Sequence, residues 1–403
     1  MKFKISHREF VLLIAILMSM TALSIDTMLP ALSTIGNDLH VEHQNDTQLI
    51  ISTIFLGISL GMVLYGPLSD SFGRKPALYL GLSIFIIGCI ISIMASSLTT
   101  MLIGRLLQGF GVASPRIVTM ALVRDKFSGQ KMAQVMSFAM TLFVLVPAVA
   151  PLLGQVILLY FNWHAIFVFF ILIVIIILLW FGLRMEETLA VENRRRFKIN
   201  IILDGTKETL KNPIILAYIA ILAALQGAFI GFLSSSKQVF LDIYSVDEQF
   251  PFYFSMLALS LGVASFINGK LVLKYGTKVI AKRAIMFKII LALVFLSLSY
   301  YYSGAPLFVL TMVYFMLCFF SMGLLFGNLN AMAMEPLGHI AGVGASVIGA
   351  FSTFFAVPIS ILIGKMYNET VLPLVWGFFC VSVFSSYILH RIEKVKNTEI
   401  RKF

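Results

Sequence analysis

Charged residues are scarce in this chain. Asp, Glu, Lys and Arg make up 12% of its 403 residues, whereas 59% are hydrophobic. Soluble globular domains carry roughly 25% charged residues, so this composition excludes a water-soluble fold. Cysteine is scarce as well: the three cysteines all lie within apolar runs, which is typical of core positions rather than of a disulfide or metal set.

Motifs for several kinds of chemistry are also missing from the sequence. No Gly-rich loop is followed by the Lys that would hold a nucleotide phosphate, which argues against ATP-driven transport. No His/Cys cluster has metal-ligand spacing, and no serine lies in a nucleophile-elbow setting with a plausible His partner. The sequence therefore predicts that the protein is not an enzyme and holds no cofactor.

Long apolar runs dominate the chain instead. A run of about 20 residues is long enough to cross a bilayer as a helix. The sequence predicts an all-α membrane protein with two six-helix bundles, 1–183 and 213–403, joined by a polar central loop, 184–212, part of which is expected to lie along the membrane surface as an amphipathic helix. The twelve candidate spans lie near residues 9–32, 47–67, 77–96, 100–122, 134–157, 164–183, 213–235, 250–270, 284–302, 306–332, 342–364 and 371–390.

The net charge of +11 comes from basic residues that cluster on one side of the predicted membrane. The opposite side carries acidic residues such as Asp38, Asp247 and Glu369. Cytoplasmic loops are enriched in Lys and Arg, so this bias predicts that both termini are cytoplasmic. The same placement argues against a nucleic-acid partner. The basic side comprises the N-terminus, the loops at 74–75, 124–131 and 270–283, the central loop with Arg194, Arg195, Arg196 and Lys198, and the tail at 391–402.

Five motifs occur in a fixed order along nearly the whole chain. They are residues 26–32 (DTMLPAL), 66–76 (GPLSDSFGRKP), 104–109 (GRLLQG), 147–154 (PAVAPLLG) and 330–346 (NAMAMEPLGHIAGVGAS). Together they resemble the motifs of the major facilitator superfamily, and within it those of the Bcr/CflA-like drug/proton antiporters. Ala150 and Gln155 stand where many antiporters have Gly.

This resemblance implies a monomeric transporter of a bacterial inner membrane, with the two bundles around a central cavity. It implies export of small, largely apolar molecules in exchange for protons, by alternating access in the lipid bilayer. The alternatives are a dedicated exporter of an endogenous carboxylate-bearing metabolite such as a siderophore, an uptake symporter, and a membrane protein that does not transport.

Two ionisable residues deep in the spans are candidates for proton coupling, because such residues are rare in membranes and functional by default. Asp26 lies about one and a half turns before the outer end of the first span, and Arg105 lies at a similar depth in the fourth, so the two could meet. Removal from water favours the protonated form of a carboxylate, whereas a nearby cation favours the charged form. A proton carrier needs both forms to be accessible. The alternative is a purely structural Asp–Arg pair.

The loop between the second and third spans is the most specific motif. Gly73 supplies a turn conformation that a side chain would resist. Asp70 is expected to face a helix N-terminus and neighbouring guanidinium groups, and the resemblance implies that Asp70, Gly73, Arg74 and Lys75 form a cytoplasmic latch that stabilises the outward-facing state. The alternative is that these charges only fix topology. In the fifth span, the resemblance makes Pro147, Pro151 and Gly154 an antiporter signature.

Arg116 lies eleven residues after Arg105, close to three helical turns, so both are expected on one face of the fourth span, with Gln108 near it. An Arg on a cavity wall would favour a substrate with a carboxylate. Alternatively, Arg116 pairs with Asp125 or with a polar group of another helix, or lines the inner vestibule.

In the second half, the candidate polar residues within the spans are uncharged. We expect them to shape the substrate cavity, and we expect the residues that carry the proton to lie in the first half. The aromatic residues of the second half are either cavity surface for apolar ligands or, more commonly, helix-packing and lipid-facing residues. The candidate cavity residues of this half are Gln226, Asn268, Asn328, Asn330, Phe229 and Tyr314.

Overall fold

The computed structural model describes residues 5–194, 197 and 199–400, and these residues form helices and short connections without strands. Two compact units divide between Ile202 and Leu203. This division lies within the predicted central loop. Arg195, Arg196 and Lys198 of that loop lie outside the described residues, as do the last three residues of the predicted tail.

The described residues of the first unit form seven complete α-helices. Within it, α5 packs closely against α3 and α4, and α1 packs along α6. The helices are α1 (His7–Asp26), α2 (Leu32–Asp38), α3 (Leu49–Phe72), α4 (Arg74–Ile93), α5 (Leu98–Lys126), α6 (Gly129–Tyr160) and α7 (His164–Arg184).

The second unit repeats this plan. In it α9 packs against α13, α10 against α12, and α11 against both α12 and α14. A short helix, α8 (Ile199–Lys211), crosses the division between the units, at the place where the sequence predicts an amphipathic helix. The remaining helices are α9 (Pro213–Gln238), α10 (Phe250–Tyr275), α11 (Thr277–Tyr301), α12 (Phe308–Met334), α13 (Ala341–Lys365) and α14 (Leu372–Ile400).

The all-α prediction with twelve long helices is confirmed. Twelve helices of the described residues have at least 20 residues each. Within the described part of the chain, eleven segments have both the length and the hydropathy of a membrane span, and α11, with 25 residues, is the remaining long helix. It carries four cations, Lys278, Lys282, Arg283 and Lys288, which distinguishes it from its neighbours.

Local signals in the sequence explain where several helices begin. Ser6 and Glu9 form a reciprocal capping box at the start of α1, in which the Glu9 amide donates to Ser6 Oγ at 3.2 Å. Asn212 caps α9, with Pro213 at the first helical position, where a missing N–H costs nothing.

Glycines set the packing of α5. A methyl group on Gly57 of α3 would overlap the backbone carbonyl of Leu106, and one on Gly109 of α5 would overlap that of Ile54. On the other side of α5, Gly111 similarly faces the backbone of Gly81 in α4. Small residues allow membrane helices to approach to backbone contact, and the sequence uses them here on both sides of one helix.

Candidate proton-coupling and substrate sites

The first predicted span is broken at its candidate coupling residue. Helix α1 ends at Asp26, and a 3₁₀ turn (Leu29–Ala31) leads into the separate helix α2. Pro30 explains the break: it lacks an N–H, and its ring clashes with the carbonyl four residues earlier, which belongs to Asp26. The predicted span over 9–32 falls within a candidate membrane span, His7–Asp38, but the helix is interrupted inside it, so the carboxylate lies at a helix end.

Asp26 is buried among groups that do not neutralise it. Its residue is 5% exposed, and none of the described residues forms an ion pair or hydrogen bond with its carboxylate. The adjacent Thr27 is fully buried, and its hydroxyl has no partner in the described part of the chain. Two neighbouring buried polar side chains are thus left without a protein partner, which is uncommon for groups of this type.

The antiporter signature of α6 contacts this same place. A methyl group on Gly154 would overlap the backbone carbonyl of Thr27, so α6 meets the end of α1 at backbone distance. Pro147 and Pro151 lie inside α6, where each removes one backbone hydrogen bond. The structure therefore brings Gly154 of the signature against the backbone of Thr27, the residue that follows Asp26.

Arg105 is fully buried in α5 and has several acceptors. Its Nη1 donates to Gln108 Oε1 at 2.7 Å and to the Ser24 carbonyl at 3.2 Å, and its Nε donates to the Ile50 carbonyl at 3.2 Å. Gln108 in turn donates to Ser92 Oγ at 2.9 Å. This guanidinium ties α5 to α1 and α3.

The predicted meeting of Asp26 and Arg105 does not occur as an ion pair among the described residues. Arg105 reaches the backbone of Ser24, two residues before Asp26, and its donors are directed to carbonyl oxygens and an amide. The structural Asp–Arg pair is therefore not formed in this conformation.

Gln108 and Arg116 have different surroundings from those expected. Gln108 is fully buried, and its amide is engaged by Arg105 and Ser92, so it does not line an open surface here. Arg116 follows Pro115 in α5 and is exposed, whereas Arg105 on the same helical face is buried. Solvent access along this face therefore changes between these two residues, which sequence spacing alone does not reveal.

The predicted latch residues lie together. Gly73 joins α3 and α4 with φ +109°, a conformation that favours glycine. The Arg74 guanidinium is buried and donates to Asp70 at 2.5 Å, to Asp125 of α5 at 2.9 Å and to Ser69 Oγ at 2.8 Å. These contacts tie α3, α4 and the end of α5 together.

The anion at the N-terminus of α4 is Glu187, not the expected Asp70. Its carboxylate accepts the amide protons of Arg74 at 2.9 Å and of Lys75 at 3.0 Å. Lys75 in turn donates to the carbonyls of Gly182 and Met185, at 3.2 and 2.7 Å, at the end of α7. A carboxylate at a helix N-terminus and a cation at a helix C-terminus are both stabilising. The sequence shows Glu187 only as part of a polar loop, because its partners lie more than 100 residues away.

The polar residues of the second unit form interhelical pairs. Gln226 of α9 donates to Thr353 of α13 at 3.1 Å. Asn328 of α12 is buried and donates to Asn268 of α10 at 2.8 Å, whereas Asn330 is exposed and donates to the Phe326 carbonyl of its own helix. Gln226 and Asn328 thus join helices within the unit.

The two aromatic candidates differ. Phe229 is half-buried, with its ring centroid 5.3 Å from that of Phe319. Tyr314 is buried and stacks on Phe295 with centroids 4.1 Å apart, so it belongs to the packing of α11 against α12.

The described residues of the second half include two buried cations that lie outside the predicted uncharged polar set. Lys288 of α11 is 1% exposed, its Nζ has no hydrogen-bond partner among the described residues, and it lies 5.0 Å from the ring centroid of Phe378. Lys237 is also buried, but it pairs with Asp247. Lys288 was missed because a single Lys hardly changes the hydropathy of a long apolar run; its position in the middle of that run is the signal that could have revealed it.

Comparison with known proteins agrees with this architecture. The model of the family described as Major Facilitator Superfamily matches residues 12–391. A bicyclomycin resistance protein homolog of Haemophilus influenzae is 29% identical over 393 residues, covering 94% of this chain and 96% of that protein. The multidrug resistance protein MdtL of Citrobacter koseri is 28% identical over 331 residues, covering 81% of this chain and 80% of that protein.

A solved structure shows the same fold. The xylose transporter XylE of E. coli, in a partially occluded inward-open conformation, has a TM-score of 0.74 and 12% sequence identity, covering 95% of this chain and 97% of that chain. The resemblance in sequence motifs and the predicted helical architecture are both confirmed by these comparisons.

Proposed function

Because this chain belongs to the Major Facilitator Superfamily, we propose that it is a proton-coupled antiporter that exports small, largely apolar molecules by alternating access. It is an integral membrane transporter and not an enzyme. Relatives named for resistance to bicyclomycin and to multiple drugs support drugs as the class of substrate.

Asp26 carries the proposal. A buried carboxylate with no cation beside it is costly in its charged form, and access to water removes that cost. Alternating exposure of Asp26 would therefore change its tendency to hold a proton, which is the step that couples proton flow to transport. Its location supports this role, since Asp26 is the last residue of α1 and the backbone of the following Thr27 lies against Gly154 of α6. Broken helices are where transporters bind their coupling ions.

Arg105 has a positioning role in this proposal. A guanidinium stays protonated at physiological pH, so Arg105 is a poor proton carrier. Its bonds to the Ser24 and Ile50 carbonyls hold α1 and α3 against α5. Arg105 would thus keep the end of α1, and with it Asp26, at a fixed place in the unit.

The latch and the topology complete the proposal. The contacts of Arg74 with Asp70 and Asp125, and of Glu187 with the start of α4, would stabilise the outward-facing state from the cytoplasmic side. The bias of basic loops supports cytoplasmic termini in a bacterial inner membrane. We propose that the transporter acts as a monomer.

Proton flux in reconstituted vesicles tests the coupling. With a pH-sensitive dye in the lumen and a pH gradient across the membrane, bicyclomycin and other drugs should trigger a proton flux in the unmodified protein. Asp26→Asn should abolish this flux while leaving drug binding detectable. Asp204→Asn makes the same chemical change at an exposed position of α8 and should leave the flux unchanged. Unaltered drug-triggered flux in Asp26→Asn would refute the coupling assignment.

The exposed Arg116 favours a second candidate function, the export of a carboxylate-bearing metabolite. An uncompensated guanidinium binds carboxylates through paired hydrogen bonds. The same vesicles would distinguish the two functions: a carboxylate-rich iron chelator would then trigger flux where apolar drugs do not, and Arg116→Gln would suppress it.

A further inference from the structure

A groove lies on the surface of the second unit, between α10, α11 and α12. Its walls are mainly apolar and include Leu271, Val279, Phe287, Phe320 and Leu324. Val279 and Phe287 are also exposed. Eight residues separate them along α11, so the groove extends about 12 Å along that helix.

One charged residue, Arg283, lines this groove. The guanidinium is exposed and lies 5.8 Å from the ring centroid of Tyr275, which also lines the groove. Lys274 lies over the same ring, at 5.2 Å. In the described part of the chain neither cation forms an ion pair, so the groove has a positive end beside an aromatic ring.

Nearby cations show that this positive charge is local. Lys278 and Lys282, on the same turns of α11, both contact the carboxylate of Glu393 in α14. This one carboxylate offsets half of their combined charge and directs both ammonium groups to α14. Lys274 and Arg283, which form no ion pair in the described part of the chain, are thus available to an external anion at this end of the helices.

We propose that the groove binds one anionic phospholipid, with its phosphate between Arg283 and Lys274 and an acyl chain along α11. A basic residue at the mouth of a groove between membrane helices fits a phospholipid headgroup. Guanidinium groups pair with phosphate oxygens in fixed geometry, and the apolar walls offer an acyl chain surface without polar atoms. This groove belongs to the second unit, whereas Asp26 belongs to the first, and lipid occupancy of the groove is measured without transport.

Native mass spectrometry of the delipidated full chain in detergent tests the proposal. When each lipid is added back, one molecule of phosphatidylglycerol should remain bound per chain. Phosphatidylcholine with the same acyl chains should not remain bound. Each basic residue near an anionic surface contributes about 1 kcal/mol, so Arg283→Gln should weaken binding about fivefold and the double variant with Lys274→Gln about 25-fold. Lys211→Gln removes an exposed charge of α8 and should have no effect.

A second pair of variants tests the acyl-chain part of the site. Leu324→Trp should fill the groove and weaken phosphatidylglycerol binding while Arg283 remains. Leu293→Trp introduces the same side chain at an exposed position of α11 outside the groove, so it should leave phosphatidylglycerol binding unchanged. Equal retention of both lipids, full displacement by inorganic phosphate, or an undiminished affinity of Arg283→Gln would each overturn the proposal.

Discussion

Replacing Arg105 by Lys should destabilise the first unit strongly although the charge is kept. Lys carries a single ammonium with no planar fork, so it cannot reach the acceptors that Arg105 contacts on three helices. The guanidinium donates to Gln108, Ser24 and Ile50, and its residue has no exposed surface. Gln108 Oε1 is the acceptor most affected. It is a buried side-chain oxygen, and unlike a backbone carbonyl within a helix it has no helical N–H as an alternative donor.

The size of the effect follows from these contacts. A hydrogen bond to a charged group contributes roughly 1.5–3 kcal/mol, and an acceptor left unsatisfied in the interior costs about 1–3 kcal/mol. If Lys keeps one contact and loses the others, the loss is about 3 kcal/mol. For a unit of this size, 1 kcal/mol lowers the melting temperature by roughly 2–4 °C, so Arg105→Lys should lower it by roughly 6–12 °C.

The chain provides its own reporter for this measurement. Cys89 of α4 and Cys318 of α12 are buried, one in each unit, whereas Cys380 is exposed. In a background with Cys318→Ala and Cys380→Ala, Cys89 is the remaining thiol, and a thiol-reactive dye reports when the first unit opens on heating. The complementary background, which keeps Cys318, reports on the second unit.

Arg116→Lys is the matched control, because it makes the same change at an exposed position of the same helix. Exposed substitutions usually change stability by less than about 0.5 kcal/mol, so its melting temperature should stay close to that of the parent. If Arg105→Lys melted at the same temperature as Arg116→Lys, the network drawn around Arg105 would not stabilise the unit and the reasoning would be refuted.

Three further substitutions give distinct outcomes. Gly109→Ala should destabilise the first unit by about 1–3 kcal/mol through overlap with α3, whereas Gly269→Ala, which meets no atom within 4 Å, should be neutral in the same melting assay. Glu187→Ala should cost about 1 kcal/mol by uncapping α4 and should speed trypsin cleavage after Arg194; an unchanged cleavage rate would contradict the capping role. Lys288→Met should raise the melting temperature of the second unit, because it replaces a buried, unpaired amine with an apolar side chain of similar length, and a fall would show that the amine has a stabilising partner.

The sequence was sufficient for the helices and for which residues form local clusters. Runs of apolar residues predict spans whatever their neighbours are, and Asp70, Gly73 and Arg74 lie within one turn, so their proximity needed no tertiary information. Pro30 also allows a break to be predicted, since the carbonyl it displaces is always four residues earlier.

What could not be predicted depends on contacts between distant parts of the chain. Glu187 meets Arg74 across 113 residues, and Arg105 meets Ser24 across 81, so neither pairing follows from spacing. Helical periodicity placed Arg105 and Arg116 on one face, but burial along that face changes with the neighbouring helices, and only the tertiary structure shows where. The neighbouring helices decide which polar residues bond to other parts of the protein and which remain available to a substrate or a proton.

The glycine contacts of α5 have a mechanical consequence. Side chains change rotamer easily and let packed helices slide, but two backbones in direct contact have no such soft layer between them. Helices α3, α4 and α5 meet in this way on both sides of α5. The three helices therefore have few internal degrees of freedom and should move as one rigid body. Deformation within the first unit is then left to the broken end of α1 and to α6, where two prolines weaken the backbone.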